Sequence, residues 1–210
     1  LEASLDIDTV TEIFIRINQK GVVLSNADFV MSKIASDEDH GGNRMRKMVD
    51  YFCRLIVDKG FIKHIQDNDT VFKQSNYYNS IKWMATASDD LYVPDYIDML
   101  RVAFTFKFSR GKFSDLVALL SGRNFETRSY EDSIAESSYA KLSEGLEAFV
   151  NQTNYQRFVM IIKSTGLVSK KLISSQNSLN FAYALYLKLR EDGMGEAESQ
   201  GYVKRWMVMS

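Results

Sequence analysis

The sequence contains very little cysteine, proline or histidine: one, one and two of them in 210 residues. Cys53 has no partner for a disulfide within the chain, which fits a reducing cytoplasm. The two histidines, His40 and His64, do not supply the three or four closely spaced ligands of a zinc site. They also do not form the paired set that a histidine-based nuclease needs. A disulfide scaffold and the commonest zinc sites are therefore excluded.

Motifs that would identify a self-contained enzyme are also missing. No glycine-rich loop ends in Gly-Lys-Ser or Gly-Lys-Thr, and no Gly-x-Ser-x-Gly elbow occurs. The acidic run from Asp37 to His40 lacks the alternating ligands of a calcium loop, so a solvated loop is the favoured interpretation. Pro94-Asp95 begins like a nuclease carboxylate motif, but no Glu-x-Lys or Asp-x-Lys follows at a suitable distance. We therefore expect no catalytic residues and no metal site in this chain.

Long apolar runs and a strong charge of either sign are absent as well. No stretch approaches 18 apolar residues, and the first residues lack the pattern of a signal peptide. With 26 basic and 27 acidic residues, the net charge of -1 gives no global reason to expect nucleic acid or a membrane as a partner. Because the chain begins at Leu1 rather than Met, we expect it to be a piece of a longer cytoplasmic protein.

Apolar side chains recur at helical spacing in segment after segment, and the alternation typical of strands is nearly absent. The pattern predicts an all-α fold, an irregular multi-helix bundle of roughly nine to eleven helices. The segment Asp95–Phe108, apolar nearly all round, is predicted to be the central buried helix. Val71–Ala87 is predicted to form one helix.

The most informative stretch is Asp8–Ile34, which predicts a helical hairpin. Its first helix should end near Gly21, and Ser25 should cap the second helix in a capping box with Asp28. We expect residues 1–36 to form a hairpin that packs on a core outside this chain, and residues 37–210 to form a helical bundle. A helix-turn-helix is an alternative, but the connector is long for that motif. The buried stripe of the second helix is predicted to be Ala27, Val30, Met31 and Ile34.

Basic residues cluster in two places. The helix that begins near Arg44 has a basic face, for which solvation is the usual explanation and phosphate binding the alternative. The segment Gln152–Arg190 holds six basic residues and no acidic one, whereas most of the charged residues in Glu126–Glu147 are acidic. The basic segment could bind a polyanion, with Lys163, Lys170 and Lys171 as candidate nucleic-acid contacts, or the two segments could be complementary faces within one domain. The residues of the first basic face are Arg44, Arg46, Lys47, Arg54 and Lys59.

One block carries a family resemblance. The segment Glu12–Ala35, EIFIRINQKGVVLSNADFVMSKIA, resembles a recurring block of the bacterial family called domain of unknown function 262, which has a ParB/sulfiredoxin-like core. That family forms the N-terminal half of GmrSD-type, modification-dependent restriction endonucleases. The stretches Leu179–Gly193 and Tyr202–Ser210 are similar to the same family, though less specifically. The matching positions of the first block are Ile13, Phe14, Arg16, Ile17, Asn18, Gly21, Leu24, Ser25 and Asp28.

The resemblance implies a non-catalytic helical region of a phage-defence protein that cleaves DNA at the expense of a nucleotide. The family's Asp-Gly-Gln-Gln-Arg motif, which lies upstream of this block, is absent here, so ATP or GTP would bind to the full-length protein rather than to this piece. By the same resemblance, Arg16 and Asn18 would lie at the edge of the nucleotide pocket; a structural ion pair and a helix cap are the alternative roles.

Partners follow from the same resemblance. They would be the N-terminal core and the C-terminal nuclease domain of the same protein, together with DNA or a second copy of the chain, and no membrane. A protein-interaction or dimerisation module without a nucleic-acid role is the competing hypothesis, because the last predicted helix, Ala197–Met209, is still apolar at its end.

Overall fold

The computed structural model describes residues 25–88, 91–167, 169 and 175–209. Within these ranges the fold is all-α, with eleven α-helices, one 3-10 helix and no strand, which confirms the predicted fold class. The elements are α1 Asn26–Ser36, α2 Gly42–Val57, α3 Phe61–Asn68, α4 Thr70–Lys73, α5 Asn76–Ile81, a 3-10 helix Lys82–Thr86, α6 Tyr96–Phe108, α7 Phe113–Leu120, α8 Asp132–Val150, α9 Gln152–Ser164, α10 Gln176–Glu191 and α11 Glu196–Met209.

Two helices begin with complete capping boxes. The Ser25 hydroxyl accepts a hydrogen bond from the Asp28 amide, and the Asp28 carboxylate accepts one from the Ser25 amide, as predicted. Asp95 and Asp98 form the same reciprocal pair at the start of α6. Because each box pairs two groups that a helix end leaves unsatisfied, both helix starts are set by short-range sequence.

Helix α6 is the central helix of the bundle, as predicted, and it packs mainly against α8 and α10. Its contact with α8 is close at Gly145, where a Cβ would lie only 3.0 Å from the Cβ of Ala103. A larger residue at position 145 would push the two helices apart. The fully buried residues of α6 include Met99, Leu100, Val102, Ala103 and Phe104.

Helix α1 is part of the bundle, packed between α2 and α7. Its buried residues are the predicted stripe, and Ile34 is fully buried. At the start of α2, a Cβ on Gly42 would lie 1.9 Å from the Ile34 carbonyl oxygen, so the two helices meet almost backbone to backbone. That residues 1–36 also pack on a core outside this chain stays a prediction. The first helix of the predicted hairpin lies outside the described residues.

The prediction of one helix over Val71–Ala87 is wrong. The segment forms α4, α5 and the 3-10 helix, and the first break is at Ser75. The Ser75 hydroxyl donates to the Phe72 carbonyl and accepts from the Tyr78 amide, so one side chain ends α4 and caps α5. A serine side chain that competes for backbone groups in this way favours a cap over a continuous helix.

Among the described residues, no helix combines the length and the apolar character that crossing a bilayer requires.

Candidate functional site

Only one of the predicted site residues falls in the described part of the chain. Lys163 lies near the end of α9, where its side chain is exposed and lines a cleft. Arg16 and Asn18, the predicted nucleotide contacts, and Lys170 and Lys171, the other predicted nucleic-acid contacts, lie outside the described residues. Their roles stay predictions.

Much of the basic segment Gln152–Arg190 is neutralised within the fold. Arg157 and Arg190 both pair with Glu196, at 2.6 and 3.4 Å. Lys188 lies 3.2 Å from Glu191 and 3.1 Å from Asp192. We call the cluster around Glu196 the Glu196 corner. Among the described residues, the carboxylates that pair with Arg157, Lys188 and Arg190 come from just after the basic segment.

The basic face of α2 is also largely occupied. Arg46 pairs with Asp50, and Lys47 pairs with Asp69 at 2.6 Å. Arg44 differs, because its guanidinium has no ion-pair or hydrogen-bond partner among the described residues, and it lines a polar cleft. The other two basic residues of this face contact uncharged groups. The Arg54 guanidinium lies over the ring of Phe61, and the Lys59 ammonium contacts the sulfur of Met84.

Three adjoining clefts form one groove along a face of the bundle. The Arg44 cleft has a volume of about 400 Å³, the Lys82 cleft about 550 Å³ and the Lys163 cleft about 270 Å³. Glu147 lines both the Arg44 and Lys82 clefts, and Trp83 lines both the Lys82 and Lys163 clefts. The shared lining residues place the three clefts next to one another, and we call them together the three-cleft groove.

Each cleft contains a cationic side chain and an exposed amide side chain. Asn76 is such an amide in the Arg44 cleft, Gln152 in the Lys82 cleft and Gln156 in the Lys163 cleft; the first two clefts are also lined by Gln74, Asn79, Asn151 and Asn154. The side-chain amides of Asn76, Gln152 and Gln156 have no hydrogen bond to another described residue. An amide carries both donors and an acceptor, so each cleft offers a positive charge beside an unused polar group.

Aromatic rings complete the walls. Tyr77 lines the Arg44 cleft, and its hydroxyl lies 2.9 Å from the Ser143 hydroxyl. The Trp83 indole donates a hydrogen bond to the Val150 carbonyl at 3.0 Å, which holds the ring between the other two clefts. Every cleft thus combines a cation, an amide and a ring.

The corner between α8 and α9 supports the Lys82 cleft. Asn151 alone separates the two helices, and its side chain caps α9. The last carbonyls of α8 accept side-chain donors instead of helical amides: Phe149 from the Tyr183 hydroxyl and Ala148 from Asn154. A sharp helix junction with its carbonyls satisfied is a rigid support.

Beneath the groove lies a cluster of buried aromatic side chains. Phe158 and Tyr183 stack with ring centroids 4.5 Å apart, and Tyr155 makes edge contacts with Trp83. These rings fix the position of the groove floor through packing and through the hydroxyl bonds to backbone carbonyls. The cluster, called the aromatic floor below, consists of Phe52, Trp83, Tyr92, Phe149, Tyr155, Phe158 and Tyr183.

The local electrostatics of the groove favour an anion. Glu147 is the one carboxylate among the residues that line the three clefts, and it accepts a hydrogen bond from Ser143. Helices α2 and α9 both begin at the groove, and neither has an acidic residue in its first turn. The positive ends of two helix dipoles therefore add to the cationic side chains, and the negative end of α8 at the Lys82 cleft offsets part of this field.

Chemistry of a catalytic kind has no support in the described residues. They contain no group of three or more His, Cys, Asp or Glu side chains that could hold a metal ion. Burial raises the pKa of the Cys53 thiol, which keeps it protonated and a poor nucleophile. His40 hydrogen-bonds Asp37 and stacks on Tyr139, a structural arrangement in the loop between α1 and α2.

Two matching positions of the family-like block, Ser25 and Asp28, are described, and both have a structural role. Asp28 accepts from the Tyr96 hydroxyl at 2.5 Å and from the Ser25 hydroxyl at 2.8 Å. These hydrogen bonds, the one from Tyr96 first, hold the pKa of Asp28 below its ordinary value of 3.8. The hydrogen bond between Tyr96 and Asp28 therefore fixes the start of α1 against the start of α6.

The sequence does not indicate the groove. It places Arg44 on the basic face of α2 and Lys163 in the basic segment, but no sequence pattern predicts that the two residues lie on one face of the fold. The only local signal is the accumulation of amides around the α8–α9 junction, at Asn151, Gln152 and Asn154.

Comparisons of the chain with protein-family models, with curated proteins and with solved structures gave no match.

Proposed function

We propose that this chain is a non-catalytic helical region of a bacterial restriction protein similar to domain of unknown function 262 and the GmrSD endonucleases. In this proposal it braces a nucleotide-binding core and contacts DNA. ATP or GTP would bind to that core, with Arg16 and Asn18 at its edge. The family part of the proposal is supported by the block Glu12–Ala35, and the DNA part by the three-cleft groove.

The observation that carries DNA contact is the contrast in pairing among the cations. Arg157, Lys188 and Arg190 are paired with carboxylates, whereas Arg44 has no partner among the described residues and Lys82 hydrogen-bonds the neutral amide oxygen of Asn79. Cations that face a cleft without neutralisation can release the counterions of a nucleic acid when they contact its phosphates.

The DNA part is tested by fluorescence anisotropy with labelled DNA at several salt concentrations. If Arg44, Lys82 and Lys163 each contact one phosphate, the plot of log affinity against log salt should have a slope of roughly -2 to -3. Reversing the three charges together, Arg44→Glu, Lys82→Glu and Lys163→Glu, should weaken binding at low salt by about 100-fold or more.

A matched control is available on other surfaces. Lys63, Lys141 and Lys204 are exposed, do not line the groove and have no ion pair among the described residues. Changing all three to Glu alters the net charge by the same amount, yet it should reduce affinity only by a few-fold through long-range screening. Equal losses in the two triple variants would show that net charge, not the groove, determines binding.

The family part has its own test in the gene. The reading frame upstream of Leu1 should encode the Asp-Gly-Gln-Gln-Arg motif. A frame without that motif would remove the restriction-protein assignment and leave the groove to be explained independently.

A second candidate function is association with another protein through α11. That helix buries only Ser199 and Val203, while Val208 is 66% and Met209 84% exposed near its end. Trp206 packs on Phe181 with ring centroids 4.8 Å apart, next to an apolar cleft of about 270 Å³ that Phe181 also lines. Exposed apolar side chains of this kind mark interaction surfaces.

Sedimentation at two salt concentrations separates the two functions. Apolar association through α11 should persist at high salt and should be lost in a Val208→Asp, Met209→Asp variant. DNA binding should show the opposite salt response and should be unchanged in that variant. A monomer at every concentration would remove self-association from consideration.

A further inference from the structure

Resting on the proposed function, we infer that the three-cleft groove binds a single polynucleotide strand, with successive nucleotides occupying successive clefts. A phosphate would contact the cation of each cleft, and a base would lie between its ring and its amide. The inference names the class of ligand that the groove takes; duplex DNA is the alternative that the test must distinguish.

The first argument is the repetition of the lining chemistry. The Arg44 cleft offers Tyr77 and Asn76 beside its cation. The Lys82 and Lys163 clefts share Trp83 and each has a glutamine of the first turns of α9. A nucleotide has three recognisable parts: a charged phosphate, a polar base edge and an aromatic face. Each cleft offers one group for each part, as in grooves that follow a single strand.

The second argument is shape. Clefts of about 270 to 550 Å³ are concave, and their size suits small groups rather than a double helix. Duplex DNA is usually read by an element that projects into its major groove. The amides of the clefts instead stand on concave walls and on no projecting element, an arrangement that suits the edges of unpaired bases.

The third argument is the placement of Trp83. Its ring is partly buried, with Phe52 and Tyr155 behind it and two clefts in front. Its hydrogen bond to Val150 and these aromatic contacts hold the indole before any ligand arrives. Because little side-chain freedom is lost on binding, a base that enters either cleft meets a preorganised aromatic wall.

Tryptophan fluorescence gives a direct test, since the chain contains two tryptophans, Trp83 and Trp206. In a Trp206→Phe variant, Trp83 is the sole reporter, and adding a thymidine oligonucleotide of about 12 residues should quench its emission. In a Trp83→Phe variant, Trp206 is the sole reporter. Its emission should stay constant up to the oligonucleotide concentration at which anisotropy shows saturation. The affinity of this variant should be lower than that of the wild type, because phenylalanine has a smaller ring and cannot donate to the Val150 carbonyl.

The same protein is then titrated with three labelled ligands of equal length: single-stranded DNA, single-stranded RNA and a DNA duplex. Either single strand should bind about tenfold or more tightly than the duplex. The ratio of the DNA and RNA affinities shows which polymer the groove prefers, because only RNA presents the 2′-hydroxyl.

The outcomes are distinguishable. Duplex binding that equals or exceeds single-strand binding, and that depends on Arg44, Lys82 and Lys163, overturns the single-strand inference but supports DNA contact as the function. Quenching of Trp206 instead of Trp83 places the ligand elsewhere and overturns the inference. Failure of all three polymers to bind overturns both the inference and the DNA part of the proposed function.

Discussion

The three-cleft groove and the Glu196 corner are both rich in basic side chains, but they use them in opposite ways. At the corner, Arg157 and Arg190 share the Glu196 carboxylate, which also accepts from the Tyr186 hydroxyl. In the groove, Arg44 faces its cleft without a partner among the described residues, and the only lining carboxylate is Glu147.

The difference shows that charge along the sequence does not report charge on the surface. The segment Gln152–Arg190 has six basic residues and no acidic one, yet half of its basic residues are held by Glu191, Asp192 and Glu196. Lys82 lies outside both basic clusters of the sequence, yet it provides one of the three cations of the groove. Pairing, not composition, decides where a polyanion can bind.

The largest expected effect concerns the aromatic floor, which supports the groove. Tyr183→Ala should lower the free energy of unfolding by about 3 to 5 kcal/mol, because it removes a fully buried ring that stacks on Phe158. Urea denaturation measures the loss. Tyr202→Ala, at an exposed tyrosine of α11, is the control and should change stability by less than about 1 kcal/mol. Similar losses in the two variants would mean that the floor is not a packed core.

A smaller loss of stability is expected where the neutral hydroxyl of Tyr96, not a cation, donates a hydrogen bond to a carboxylate. Tyr96→Phe removes the hydrogen bond to Asp28 and should cost about 1 kcal/mol at neutral pH. Since the pKa of Asp28 is lowered in the folded state, this contribution is complete above pH about 4 and is lost as the pH falls through the lowered pKa.

Unfolding free energies of the wild type and of Tyr96→Phe, measured from pH 7 downward over the range in which both fold, check this prediction. The two curves should converge in acid. A difference that stays constant below pH about 4 would show that the hydrogen bond does not depend on the Asp28 charge.

The smallest change in stability is expected at the Glu196 corner. Glu196→Gln releases Arg157 and Arg190 and should destabilise the fold by about 0.5 to 1 kcal/mol, because both ion pairs are partly exposed. The released cations should also raise the affinity for heparin by a few-fold, so that the corner begins to behave as the groove does. Glu198→Gln, at an exposed and unpaired position of the same helix, makes the same charge change and should have neither effect. Equal heparin binding by the two variants would contradict the assigned pairing.

Much of the fold could be predicted from the sequence because its determinants are local. Helical periodicity identified the central helix α6 and the stripe of α1, and the capping residues Ser25 and Asp28 marked where α1 begins. The local signal at Ser75 was overlooked, since the apolar periodicity of Val71–Ala87 continues across it and hides the break.

The groove could not be predicted, since it is assembled from separate segments. Arg44 lies in the first turn of α2, Lys82 begins the 3-10 helix, and Lys163 lies in the last turn of α9. Their common face depends on how α2, α8 and α9 pack around the aromatic floor, which is a tertiary property. The Glu196 corner could not be predicted for a similar reason. Glu196 lies beyond the basic segment in sequence, and only the packing of the helices brings its carboxylate to Arg157 and Arg190.

The central claim is that Arg44, Lys82 and Lys163 contact the phosphates of one strand, and the salt dependence of binding tests it most directly. For a thymidine oligonucleotide, the wild type should give a slope of log affinity against log salt of about -2, that is, about -0.7 for each of three contacts. Neutralising the three residues together, as Arg44→Gln, Lys82→Gln and Lys163→Gln, should bring the slope close to zero. An unchanged slope in that variant would contradict the account.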